Sequence, residues 1–97
     1  MIIVNNTFVC KPGNAGKMAK MMKDAMKTDP SFKMVMTDMT GKFHRVIMVS
    51  EFEDLTAYQK SWEAMMNPTP EMKEAMKDMG TMNEMYLTGS REIYKVW

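Results

Sequence analysis

Ninety-seven residues carry thirteen Lys and Arg against twelve Asp and Glu, a formal net charge of +1, with the Lys residues interspersed among acids rather than gathered on one face. That balance excludes an electrostatic grip on nucleic acid or on an anionic membrane surface. No segment approaches the roughly twenty apolar residues of a membrane span, and the apolar run 2–4 is too short for a signal peptide, so one soluble, cytoplasmic domain is expected.

Residues 1–10 read as a strand, with Ile2, Val4, Asn6, Phe8 and Cys10 on one face and Ile3, Asn5, Thr7 and Val9 on the other. Lys11-Pro12-Gly13 breaks it, and Asn14 is placed to cap a helix to about Thr28 with Met18, Met21, Met22 and Met26 on its inner stripe. Asp29-Pro30 ends that helix. Residues 31–40 then alternate, placing Phe32, Met34 and Met36 on one strongly apolar face, and Thr40-Gly41-Lys42 turns the chain back as an antiparallel hairpin.

Residues 43–52 are apolar on both parities, Phe43, Ile47 and Val49 against Val46, Met48 and Phe52, which is the pattern of a central strand. Glu53 and Asp54 follow as a cap and a source of negative charge for a helix in which Leu55, Tyr58, Trp62, Met65 and Met66 recur at spacings of three and four. That helix lies back on the sheet and ends at Asn67-Pro68. Thr69 caps a short third helix with Pro70 at its first position, Met72, Ala75, Met76 and Met79 on one side and Gly80 after its last turn. Residues 82–97 return to strand composition, interrupted at Thr88-Gly89-Ser90 by a bulge or a corner.

The order β-α-β-β-α-(α)-β is the α+β, ferredoxin-like pattern of two split βαβ halves around a four-stranded antiparallel sheet. Helices can cover one face of such a sheet, yet the first, third and fourth strands are apolar on both. A second copy packing sheet to sheet is the simplest cover, and it would leave a partly apolar chamber.

Sixteen Met stand against two Leu, Leu55 and Leu87. Met on helical stripes reads as the default core residue in place of Leu. A thioether metal site would want exposed Met clusters mixed with Cys or His, and none is expected. Cys10 is the lone cysteine and His44 the lone histidine, which excludes an internal disulfide and a zinc cluster.

The turn Val9-Cys10-Lys11-Pro12-Gly13, and the run Phe52-Glu53-Asp54 followed by Tyr58 and Trp62, resemble the dimeric α/β-barrel superfamily typified by antibiotic-biosynthesis monooxygenases and haem-degrading monooxygenases. The resemblance spans essentially the whole chain on loose motifs. It implies a homodimer whose two sheets close into a barrel, and a hydrophobic pocket that brings an electron-rich substrate to oxygen without a dedicated cofactor. Asn6 falls where haem-degrading members carry an Asn, and Trp62 stands one residue beyond their Trp. Their axial His has no counterpart in residues 69–80, where Met72 or Met76 is the nearest soft ligand.

Asn6 either holds a substrate oxygen or satisfies local backbone at a strand bend. His44 either acts as a general base or starts a solvated strand. Phe8, Tyr58, Trp62, Met66, Met72 and Met76 either line the ligand pocket or are core. No nucleophile with its base, and no carboxylate pair, stands out. Two functions are weighed first: a homodimer that binds a small apolar or aromatic molecule and promotes its oxidation, with Asn6 and His44 acting on the substrate, or a non-catalytic ligand-binding or structural dimer; haem degradation ranks behind both for want of the axial His.

Overall fold

The computed structural model describes residues 1–67, 69–75 and 84–97, with Met72 and Ala75 described by backbone alone. Strand β1 (Ile2–Cys10), helix α1 (Ala15–Met26), strands β2 (Phe32–Thr37) and β3 (Arg45–Phe52), helices α2 (Leu55–Met66) and α3 (Pro70–Ala75) and strand β4 (Tyr86–Lys95) follow in chain order. The expected continuation of α3 through Met76 and Met79 to Gly80 lies outside the described residues. All strand pairs are antiparallel and the order is β2-β3-β1-β4, so β1 and β3 are central, while β4, also expected to be apolar on both faces, is an edge strand exposed along nearly all of its length. The result is a ferredoxin-like α+β fold.

Register assigns the faces, because directly paired residues point the same way. Ile2, Val4, Asn6 and Phe8 stand opposite Phe52, Ser50, Met48 and Val46 of β3. This face is covered by α1, where Met18 and Met22 meet Cys10 and Val46 in a sealed cluster ringed by Phe8, Met21, Val35 and Met48. The Cys10 Sγ lies 3.4 Å from the Met18 Sδ. Met does replace Leu here, its unbranched chain filling the space between helix and sheet.

Two registers depart from the alternating pattern. Phe32 pairs with Ser50 on the helix side, while Met34 and Met36 pair with Val49 and Ile47 on the other, because the register shifts between Phe32 and Met34. The bulge follows from the turn before it. Asp29 Oδ1 accepts from the Ser31 amide at 2.8 Å and its hydroxyl at 2.7 Å, and the Ser31 carbonyl accepts from the Glu51 amide at 2.9 Å. That leaves Lys33 as an extra residue, free to reach Glu51 at 3.4 Å.

On the other edge Val9 pairs with Thr88 but Cys10 with Tyr86, so Leu87 is the extra residue and Thr88-Gly89-Ser90 stays in the ladder. Gly89 is required by its neighbour: a Cβ there would meet the Phe8 ring and the Thr7 carbonyl oxygen, each at 3.4 Å.

The caps expected at Asn14 and Asp54 differ. The Asp54 side chain accepts from the Ala57 amide at 2.8 Å and starts α2. Asn14 makes no side-chain cap bond; its amide donates to the Lys11 carbonyl at 3.1 Å through a turn in which Gly13 takes φ +84°, and the turn itself delivers the chain into α1.

The other face of the sheet carries Ile3, Val9, Ile47, Val49, Met34 and Met36 with no helix over it among the described residues. Met34 is 49 % exposed and Met36 41 % exposed. The Asn5 Oδ1 lies enclosed within that face without a hydrogen-bond partner among the described residues. Among the described residues no helix is long and apolar enough to cross a membrane.

Candidate ligand site

Helix α2 covers the sheet differently from α1. Its periodic stripe predicts five residues turned inward, but none of its residues is buried. Leu55 is 60 % and Met66 77 % exposed. Its half-buried residues are Ala57, Tyr58 and Ser61, and a row of rings runs beside them. Phe52, at the end of β3, meets the Tyr58 ring edge-on at 5.2 Å, and Tyr58 meets Trp62 edge-on at 6.4 Å. Edge-to-face contacts let three rings form a wall without filling the space in front of it.

The floor of this space follows from the β1 pairings on both sides. Val4 lies between Ser50 and Ile93, and Asn6 lies between Met48 and Arg91. The Arg91 Nε donates to Asn6 Oδ1 at 2.6 Å, and its guanidinium carbon stands 4.7 Å from the centre of the Trp62 ring. Three elements, β1, β4 and α2, thus bring an amide, a guanidinium and an indole to one spot. Close by, the Tyr58 hydroxyl is enclosed with no hydrogen-bond partner among the described residues. An open cleft of about 560 Å³ runs along the same side between Leu55 and Thr56 of α2 and Ile93, Tyr94 and Lys95 of β4.

Of the residues expected to form the site, Asn6, Tyr58 and Trp62 come together. Phe8 shares their face but packs edge-on against Tyr86 at 5.1 Å, on the sealed side. Met66 is exposed at the end of α2. His44 sits in the exposed turn before β3 with φ +62°, its carbonyl accepting from the Cys10 amide at 2.7 Å. That is four residues, roughly 13 Å, along β1 from Asn6, so the fold does not bring the two together. The Met72 side chain and all of Met76 lie outside the described residues.

The residue missed in the sequence is Arg91. A charged residue in a strand reads as solvated, and only the β1–β4 register shows it to be the neighbour of Asn6. Cys10, in contrast, is chemically muted: burial pushes its thiol pKa up from the ordinary value, and the thiolate needed for nucleophilic work is disfavoured.

Solved structures with this fold cover nearly the whole chain. A NIPSNAP domain protein from Burkholderia xenovorans superposes with a TM-score of 0.79 at 11% identity, covering 100% of this chain and 95% of its own. A NIPSNAP family protein from Agrobacterium tumefaciens gives 0.78 at 8% identity, covering 97% and 90%. A candidate antibiotic biosynthesis monooxygenase from Nitrosomonas europaea gives 0.68 at 9% identity, covering 99% and 98%. At these identities the likeness is one of fold, and the shared fold is the ferredoxin-like α+β arrangement. No family model and no curated protein matches the sequence.

Proposed function

We propose that this protein is a homodimer that binds a small aromatic or apolar molecule between α2 and the β1–β4 side of its sheet. The observation that carries this reading is the aromatic wall of Phe52, Tyr58 and Trp62 standing beside Asn6, Ile93 and Arg91 while α2 buries no residue of its own. Such a helix leaves apolar surface that a flat ligand can take from water. The dimer is supported by the second face of the sheet, where Met34 and Met36 are exposed and no helix among the described residues covers them.

A second reading is favoured by the hydrogen-bonded pair of Asn6 and Arg91. Donors fixed beside an apolar wall stabilise negative charge on a substrate oxygen, and a substrate held as its anion is the electron-rich form that reacts with dioxygen. In that case the site is an oxidase or monooxygenase centre working without a dedicated cofactor.

Native mass spectrometry of the purified protein tests the first reading. A dimer retaining a small molecule, and a Trp62→Ala dimer that has lost it, is the expected result; a clean monomer contradicts it. Oxygen uptake in the presence of the recovered molecule, abolished in Asn6→Ala, separates the second reading from simple binding.

A further inference from the structure

The donor inventory of Arg91 narrows the ligand. A guanidinium has five N–H donors in a fixed plane, and it recognises carboxylates through two parallel bonds. In this structure the Nε–H is taken by Asn6 Oδ1 and one face is set against Trp62. The four N–H groups on the two terminal nitrogens have no partner among the described residues. The adjacent acid cannot serve. Glu92 stands on the opposite face of β4, opposite Asn5, and accepts from the Tyr94 hydroxyl.

Asn6 therefore holds the side edge of the guanidinium and leaves its end free. The hydrogen bond and the ring together fix the plane, so little side-chain freedom is lost when an anion docks end-on. With Oδ1 committed to Arg91, the Asn6 amide turns its NH2 outward as a further donor. Beside this cationic end lie Ile93, opposite Val4, and the Tyr58 and Trp62 rings. Positive charge at one end and an aromatic wall beside it match a planar molecule with an anionic group at its edge.

We infer that the site reads an aromatic carboxylate: Arg91, oriented by Asn6 and Trp62, binds the carboxylate end-on while the Tyr58–Trp62 wall takes the ring. This rests on the proposed ligand site and adds to it the charge of the ligand. Arg91 is thus the specificity-determining residue, and Asn6 a positioning residue that acts through it.

Calorimetric titration with a matched pair of probes tests the inference, 2-naphthoate and its neutral analogue 2-naphthalenemethanol at neutral pH. The wild-type dimer is expected to favour the carboxylate by at least about tenfold, the range of a charge-assisted bidentate contact at a partly open site. Arg91→Gln loses that preference, Arg91→Lys retains part of it, and Asn6→Ala weakens it. Equal affinity of the wild type for the two probes overturns the anion inference and leaves the ligand site standing. Binding of neither probe overturns both. If Arg91→Gln dissociates the dimer and leaves the probe preference intact, Arg91 belongs to a subunit contact and the inference fails.

Discussion

The two helices that cover the sheet do so in opposite ways. Helix α1 presses Met18 and Met22 into Cys10 and Val46, all four at 2 % exposure or less, and the thiol and thioether there touch with no polar group between them. Helix α2 presents rings edge-on, keeps Trp62 39 % exposed, and encloses the Tyr58 hydroxyl while the Asn6–Arg91 pair beside it stays open to solvent. A small domain has little core to spare, and this one concentrates its sealed packing under one helix. The other helix is thereby released from a structural role and can shape a site.

Substitutions should separate these two halves, the largest effect coming from the sealed side. Met18→Ala is expected to cost about 2 to 5 kcal/mol in chemical denaturation, the range for emptying a fully buried long side chain. Affinity for 2-naphthoate, measured where the variant is still folded, should stay at the wild-type value. Gly89→Ala comes next. Its new Cβ meets the Phe8 ring and the Thr7 carbonyl, both at 3.4 Å, and a loss of about 1 kcal/mol is expected as that ring shifts. Asp54→Ala removes the side-chain bond to the Ala57 amide and should lower stability by about 1 kcal/mol or less, with a visible loosening of α2 in amide exchange.

On the α2 side, Trp62→Ala should change stability by less than about 1 kcal/mol, since the ring is partly open, yet remove most of the ring affinity. A loss of stability as large as that of Met18→Ala would erase the contrast between the helices. The smallest effect is the pH response of Cys10. Its folded pKa is raised by burial, so the native state holds the proton more tightly than the unfolded chain. The contribution is complete below the unfolded thiol value of about 8.5 and is lost as pH rises through the folded one. Urea midpoints of the wild type should therefore fall more between neutral and alkaline pH than those of Cys10→Val, and iodoacetamide should leave the native thiol unlabelled at mildly alkaline pH.

The sequence carried the sealed half well and the open half poorly. Apolar parity in residues 2–10 and 45–52 announces two central strands, the Met stripe of α1 announces its buried face, and Asp54 announces the start of α2, because each signal is local and hydrophobic burial enforces it. What was hidden depends on pairing across the chain. The bulge before Met34 is set by the Asp29 and Ser31 turn and reverses which face the two Met residues take. Arg91 becomes meaningful only through its register with Asn6, eighty-five residues away. Leu55 and Met66 satisfy the helical period of α2 but stay exposed.

The most direct test of this division is amide and indole chemical-shift mapping of the uniformly ¹⁵N-labelled protein during titration with 2-naphthoate. The account predicts concentration-dependent shifts at the Trp62 indole, the Asn6 side-chain amide, the Arg91 Nε–H and the backbone around Tyr58, with Met18 and Met22 unmoved. Shifts centred on α1, or none at Trp62 and Arg91 when the probe is bound, would contradict it.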